Sequence, residues 1–447
     1  MEQFDCIVIG GGPGGYTAAL EAAALGKHVL LVEKAQLGGT CLNRGCIPTK
    51  ALLRAAHTYH SLQNAAEIGV LAGQVGYDFA AMHAYAARTV LQLRSGIAQL
   101  LQRAKVTLLE GEAQFSAPDC ITVNDAEYQA PNIIIATGSR VAMPPITGAD
   151  LQGVCTSDTL LTNGGVACKS LVIIGGGVVG VEFAQMYHAL GCAVTILEAE
   201  PRLLPQLERE VSQNLAMLFK NRGIALHTNA MVSAITQTDG GLQCAYTEKG
   251  EAACVCAERV LICTGRLPNT DALGLARISL ATERGYIPTD ANGYTGVCGI
   301  YAIGDVVKGG VQLAHAAEAG AKNAVCAIYN QPNAKTMCVP ACVFTQPEIA
   351  TVGLTADEAK AQGIAVETSK GLTSANGKAI IEGAERGFAK LVYRQDTKVL
   401  IGAQLMCPHA GEMIGGLTAC VNAALTRAEM ESTIFPHPTV SECILGH

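Results

Sequence analysis

Cys41 and Cys46 stand in the run Gly38-Gly-Thr-Cys-Leu-Asn-Arg-Gly-Cys-Ile-Pro-Thr-Lys50, and two nearby thiols can cycle between dithiol and disulfide. On an ideal helix a spacing of five places the Cα atoms roughly 8 to 9 Å apart, beyond the ~7 Å reach of a disulfide. A helix that carries this pair must therefore be distorted, and Gly45 supplies the freedom. Strained or exposed disulfides are the readily reduced ones. Pro48 suits a first helical turn, which puts Cys46 near the positive end of a helix, where a thiol pKa falls. The spacing alone also fits two unrelated buried thiols, or half of a metal site. No second Cys or His cluster completes a tetrahedral zinc site, so no metal is expected and redox chemistry is preferred. A thiol nucleophile also needs a base that titrates near neutrality, and His serves when a carboxylate fixes its ring. His437 and Glu442, in Phe435-Pro-His-Pro-Thr-Val-Ser-Glu442, could form that dyad, although a His between prolines also fits a plain turn.

Two further segments share one pattern: an apolar run, a glycine cluster, a helical stretch, a second apolar run and an acid. The first contains Cys6-Ile-Val-Ile-Gly10-Gly-Gly-Pro-Gly-Gly15 and ends at Glu33; the second contains Leu171-Val-Ile-Ile-Gly175-Gly-Gly-Val-Val-Gly180 and ends at Glu198. These are βαβ dinucleotide-binding fingerprints. The first glycine (Gly10, Gly175) permits a tight turn, the second (Gly12, Gly177) lets backbone approach a pyrophosphate, and the third (Gly15, Gly180) permits close helix packing. Glu33 and Glu198 should accept hydrogen bonds from ribose hydroxyls, and a carboxylate at Glu198 repels a 2′-phosphate, so the second site favours NAD over NADP. A lone GxGxxG is weak; two copies, each set between strand and helix, make two bound dinucleotides the natural reading.

The chain has 447 residues, which suggests two to four domains of about 100 to 200 residues. Continuous β-branched runs indicate strands buried on both faces of a parallel sheet, hence an α/β protein with two Rossmann-like units. Residues 50 to 104 read as helical and 106 to 135 as short strands. Met143-Pro-Pro-Ile-Thr-Gly148 suggests a crossing between domains. Strands follow over 224 to 264, so each nucleotide unit carries a β appendage, and from about 332 the pattern becomes that of a separate α+β domain. The net charge is −7, with no block of Lys or Arg, which argues against nucleic-acid or anionic-membrane partners. No apolar run reaches the eighteen or so residues of a membrane span, and Met1 leads straight into the first strand without a recognisable leader. The 18 Cys are scattered through a long chain, which fits small buried hydrophobes in the reducing cytoplasm.

Taken in order, GGTCLNRGCIPTK, the second fingerprint, GRLPNT at 265 to 270, YAIGD at 301 to 305, LAH at 313 to 315 and HPTVSE at 437 to 442 resemble the pyridine-nucleotide disulfide oxidoreductases, and most closely their dihydrolipoamide dehydrogenase branch, over essentially the whole chain. The resemblance implies FAD at the first fingerprint and NAD at the second. It implies an FAD-binding domain in two parts, 1–145 and 265–331, around an NAD-binding domain at 146–264, with a dimerisation domain at 332–447. By the same resemblance Cys41 is the interchange thiol that meets substrate and Cys46 the thiol beside the flavin. Lys50, paired with Glu182, lies near the flavin, while Asp305, Gly111, Thr137, Gly138 and Ala314 contact FAD and Gly265 contacts NAD. His437, oriented by Glu442, becomes the acid/base that reaches the Cys pair of a second subunit in a homodimer.

The reaction implied is oxidation of a dihydrolipoyl group on an acyltransferase or a glycine-cleavage carrier protein, with NAD as the final acceptor. Arg44 and Thr49 depart from the commoner Val and Ser, and the chain runs only five residues past Glu442, leaving little sequence to support the dyad. The alternative within the same fold is a glutathione-reductase-like enzyme acting on another small disulfide, which usually carries basic residues where Glu198 stands. A non-catalytic component of a complex would have little reason to keep Cys41, Cys46, Lys50, His437 and Glu442 together.

Overall fold

The computed structural model describes residues 2–162, 165, 167–332 and 338–446. The chain opens with β1 (Cys6–Ile9), α1 (Pro13–Ala24) and β2 (Val29–Glu33), continues through α2 (Gly39–Arg44) and α3 (Cys46–Gln63), and later repeats the unit as β3 (Ser170–Ile174), α4 (Val178–Ala189) and β4 (Ala193–Glu198). β1 is four consecutive buried residues. Branched side chains suit a pleated strand covered on both faces, and each one buried contributes ~1.5–3 kcal/mol. β1 and β2 lie in a five-stranded parallel sheet, between Ile133–Ile135 on one side and Thr107–Glu110 on the other, with Ile300–Ala302 at the edge. β3 and β4 lie in a second five-stranded parallel sheet, flanked by Arg259–Ile262 and Ala225–Thr228.

Helix α1 presents Ala18, Ala19 and Ala22, all fully buried, to one face of its sheet. Their small side chains allow the close helix–strand approach that a nucleotide-binding turn requires. Each parallel sheet has a companion, the antiparallel strands of 114–129 with Glu2–Gln3 added in parallel for the first, and the antiparallel strands of 230–257 for the second. Arg266–Pro268 pairs with Ser139–Val141, so the chain after the second sheet returns to the first. The C-terminal unit is a five-stranded antiparallel sheet, in the order Ala341–Val343, Glu348–Gly353, Leu400–Cys407, Phe388–Arg394, Val366–Leu372, with the helix Ala410–Asn422 on it. The α/β class with two Rossmann-like units and an α+β C-terminal unit is the architecture observed. Residues 333–337, beside the expected boundary at 332, lie outside the described residues.

One expectation needs correction. The stretch 50 to 104 is not continuously helical: α3 ends at Gln63, a short 3-10 turn covers Ala65–Ile68, and a second helix runs Phe79–Arg103. Gly69 adopts φ +80° after that turn, and Gly73 and Gly76 add breakers that outweigh the apolar spacing. Asp78 then restarts the helix by accepting from Ala81 N at 3.0 Å, an N-cap.

Candidate active site

The two glycine loops are near copies. Gly10 has φ +107° and Gly175 φ +114°, and a Cβ at either would lie 2.4 Å from a carbonyl oxygen, that of Ala136 or Cys263. A Cβ on Gly15 would lie 1.7 Å from Gly10 O, and one on Gly180 2.0 Å from Gly175 O. The middle glycines differ in kind: Gly177 has nothing within 4 Å, and the nearest atom to a Cβ on Gly12 is Gly39 Cα at 3.8 Å. Free space there, at a helix N-terminus begun by Pro13 in the first unit, fits a pyrophosphate.

Glu33 and Glu198 both turn back onto their own glycine loops. Glu33 accepts from Gly11 N at 2.7 Å and from Ala35 N at 2.8 Å. Glu198, 7% exposed, accepts from Gly176 N and from Glu200 N at 2.7 Å. Each carboxylate thus pins its own glycine loop, and with about four lone-pair sites per carboxylate it keeps capacity for ribose hydroxyls.

Cys41 lies in α2 and Cys46 begins α3, with the helical path broken between them at Gly45 (φ −144°, ψ −113°). A Cβ at Gly45 would approach Thr40 O to 2.9 Å, so the break depends on glycine. Thr49 Oγ1 donates to Gly45 O at 2.6 Å, and Asn43 Nδ2 donates to Leu37 O and Gly39 O, each at 2.9 Å. Both cysteines are present as thiols. The Cys41 S–H donating to it, followed by the Lys50 ammonium and its own backbone N–H, holds the Cys46 thiol down to about 7, against an opposing push from burial. Cys41 is driven far up by the same hydrogen bond and by burial. Of the two, Cys46 is therefore the one that ionises near neutrality, while Cys41 stays a thiol.

Lys50, one turn along α3, lies 2.8 Å from Glu182 Oε2 and 3.0 Å from Oε1. Glu182 is 3% exposed and projects from α4 of the second unit. Its Oε1 also accepts from Phe344 N at 2.9 Å, and the Phe344 ring lies 4.4 Å beneath the Lys50 ammonium. Gln185, also on α4, accepts from Gln346 N at 2.6 Å. All three parts of the chain meet at Lys50.

Asp305 accepts from Ser139 Oγ at 2.5 Å. Arg266 donates to Ser139 Oγ at 2.7 Å, to Ser139 O at 2.6 Å and to Thr40 Oγ1 at 3.4 Å, beside Cys41. Arg266 and Arg44 also flank Asp158, at 3.8 and 3.5 Å, which gives the unusual Arg44 a partner. Thr137 and Gly138 are held by Asn269: Thr137 Oγ1 donates to Asn269 O at 2.6 Å and Asn269 N to Gly138 O at 2.9 Å. Gly111 N donates to Glu33 O at 3.0 Å. Ala314 is the first residue of the helix Ala314–Ile328, which packs against α1. Gly265, at φ +115°, has nothing within 4 Å of a would-be Cβ.

His437 is not brought to the thiols. Its Nδ1 lies 2.9 Å from Glu442 Oε1 on the C-terminal unit, its side chain is 80% exposed, and no described hydrogen bond or ion pair joins it to Cys41 or Cys46. Glu442 also accepts from Thr439 N at 2.9 Å. That bond and the His437 ring hold its carboxyl below the usual range. The dyad is braced by this local capping box rather than by sequence beyond it.

Residues 4–321 match the family described as pyridine nucleotide-disulphide oxidoreductase, and 339–446 match its dimerisation domain. The chain belongs to the pyridine nucleotide-disulphide oxidoreductase family. It is 39% identical to the dihydrolipoyl dehydrogenase of Bacillus subtilis (strain 168), across 98% of this chain and 94% of that one. The dihydrolipoyl dehydrogenase of Geobacillus stearothermophilus is equally similar, at 39% identity over 98% and 94% of the two chains. Among solved structures, LpdA from Mycobacterium tuberculosis superposes with a TM-score of 0.90 at 27% identity, covering 100% of this chain and 98% of that one. The HOCl-induced flavoprotein disulfide reductase RclA from Escherichia coli gives 0.88 at 29%, covering 98% of each.

Members of this family bind FAD and NAD(H), and the observed loops fit both: two open middle glycines, two loop-pinning carboxylates, and an Asn43 Oδ1 that is buried with no partner beside the first loop. Several site neighbours were not singled out from sequence: Asn43, Ser139, Arg266, Asn269 and Phe344. Arg266 and Asn269 stood inside GRLPNT, and a charged side chain in an apolar chain was the available signal. Ser139 and Phe344 carried none. Among the described residues no helix is long and apolar enough to cross a membrane, and no cluster of three ligating side chains could hold a metal.

Proposed function

We propose that this protein is a dihydrolipoyl dehydrogenase, oxidising a protein-bound dihydrolipoyl group through a Cys41–Cys46 disulfide, with FAD as relay and NAD as acceptor. The redox assignment rests on one observation above all: a helix broken at Gly45 holds two thiols, with Cys46 held well below the ordinary thiol value by Cys41 and the Lys50 ammonium. The substrate is argued from the full-length likeness to the Bacillus and Geobacillus enzymes.

In the oxidised enzyme a substrate thiolate attacks Cys41 Sγ and Cys46 leaves as the stabilised thiolate. The second substrate thiol, losing its proton to His437, displaces Cys41 and closes the lipoyl disulfide. Cys41 takes up a proton, so one dithiol has been oxidised and one disulfide reduced. Glu442 fixes the His437 ring for this transfer. FAD, when bound, supplies the two-electron path from the reduced pair to NAD. Gly10, Gly12, Gly15, Glu33, Gly111, Thr137, Gly138, Asp305, Ala314 and Lys50 would hold it, and Gly175, Gly177, Gly180, Glu198 and Gly265 would hold NAD.

His437 is exposed on the unit that matches the dimerisation domain. We place it opposite the thiol pair of a second copy, so that the working form is a homodimer with shared sites. The partner substrate is a lipoyl-bearing acyltransferase or glycine-cleavage carrier protein, and the reducing cytoplasm suits so many free thiols. Steady-state assays test the reading: turnover with dihydrolipoamide and NAD should exceed that with NADP, and with glutathione disulfide plus NADPH. Faster glutathione disulfide reduction would replace it with the small-disulfide reductase.

A further inference from the structure

Outside the active site, Cys168 Sγ and Cys192 Sγ lie 3.7 Å apart. The contact comes from the sheet itself. Cys168 precedes β3 and Cys192 precedes β4, two parallel neighbours in which Ser170 pairs with Ala193 and Ala193 N donates to Lys169 O at 2.8 Å. A strand spacing of about 4.8 Å with a one-residue offset of about 3.3 Å puts the two Cα atoms on the order of 6 Å apart, inside the span of a disulfide. Glu258 fixes the segment by accepting from Lys169 N at 2.8 Å.

Cys192 is buried, but Cys168 lines a cavity of about 290 Å³ that Cys155, Tyr187 and Arg259 also line. The Cys192 S–H donating to it holds the Cys168 thiol below its ordinary value. The half-buried sulfur of Cys168 thus faces the cavity, and the buried sulfur of Cys192 lies beside it to resolve. The pair lies at the opposite end of β3 from the Gly175 loop, and a bond between its members would close a loop containing β3, the Gly175–Gly180 turn and α4.

We propose that Cys168 and Cys192 form a second redox site, a peroxide-responsive pair that closes into a disulfide and staples the base of the NAD-binding unit. The Cys168 thiolate attacks a hydroperoxide, cleaving the O–O bond to give Cys168 sulfenic acid and releasing hydroxide, or from an alkyl hydroperoxide an alkoxide that takes up a proton to become the alcohol. The Cys192 thiol then attacks the sulfenic sulfur and expels water. Two thiols lose two electrons, and with hydrogen peroxide the oxidant becomes two waters. The chemistry is separate from Cys41 and Cys46 and does not depend on the substrate assigned above.

The test treats FAD-loaded protein with hydrogen peroxide, alkylates the remaining thiols and maps non-reduced tryptic peptides. Cleavage after Lys169 separates the two cysteines, so a closed pair joins two peptides, distinct from any Cys41–Cys46 bond. The pair should appear joined in the parent and be absent after Cys168→Ser. Cys192→Ser should retain a Cys168 sulfenic acid trapped by dimedone, and Cys192→Ala serves if that variant folds poorly. The treated parent should also melt about 2–4 °C or more above the equally treated Cys168→Ser variant. Full alkylation of both thiols, over-oxidation of Cys168 without a joined peptide, or a joined peptide with no rise in melting temperature would each overturn the proposal.

Discussion

The two nucleotide-binding units place their glycines alike and pin them with the same carboxylate device, yet they part immediately afterwards. Beyond Glu33 the chain turns into α2 and α3 and delivers Cys41, Cys46 and Lys50. Beyond Glu198 it runs to an amphipathic helix, Arg209–Asn221, with no thiol pair. The cradle is a general solution to holding a dinucleotide, and the chemistry belongs to the segment appended to one copy. The second unit is not a bystander, because its α4 supplies Glu182 to Lys50. The redox helix is clamped by both units and by Phe344 of the C-terminal part.

The strongest way to break this comparison is to remove the feature found in one unit alone. Cys46→Ser should lower dihydrolipoamide-linked NAD reduction on the order of 10³-fold or more, with flavin content unchanged; retained turnover would show that the appended segment is not the reactive part. Next come matched insertions into the two cradles. Gly15→Ala forces a Cβ against Gly10 O and should strip FAD from the purified protein. Gly180→Ala makes the equivalent clash, and it should leave FAD bound while raising the NAD KM on the order of 100-fold, the equivalent of about 2.7 kcal/mol. Loss of flavin from Gly180→Ala would mean the two units do not divide the cofactors in this way.

Glu198→Gln probes the carboxylate more gently. Weakening a charge-assisted contact, worth about 1.5 kcal/mol, should raise the NAD KM about tenfold and narrow the preference over NADP; an unchanged ratio would remove Glu198 from specificity. The smallest effect concerns Lys50. With Cys46 near 7, the thiolate predominates above that pH, so loss of a neighbouring cation moves the midpoint upward. Lys50→Met should shift the pH profile of Cys46 alkylation in the reduced enzyme up by roughly one unit and slow alkylation at pH 7. Cys41→Ala, which removes the larger stabilising contact, should shift it further.

The sequence carried the strands and glycine turns because buried β-branched runs and backbone-forced glycines leave unmistakable local patterns. It also carried the need for a break between Cys41 and Cys46, since helix geometry forbids the pairing otherwise. It did not carry the interruption at Gly69 to Asp78, where apolar spacing masked the breakers. Nor did it carry the anchoring of the glycine loops by Glu33 and Glu198, or the meeting of Ser139, Arg266 and Asp305, because these depend on contacts between segments apart in the chain. His437 and Glu442 were legible as a dyad, while among the described residues no hydrogen bond or ion pair joins the ring to Cys41 or Cys46.

The most direct test of the central claim is an anaerobic titration of the FAD-loaded protein with dihydrolipoamide, followed in the visible spectrum before and after NAD is added. The account predicts a long-wavelength absorbance from the Cys46 thiolate beside oxidised flavin, fading at low pH with a midpoint at or below about 7 and discharged by NAD with formation of NADH. A spectrum indifferent to dihydrolipoamide but bleached by NADPH would contradict it.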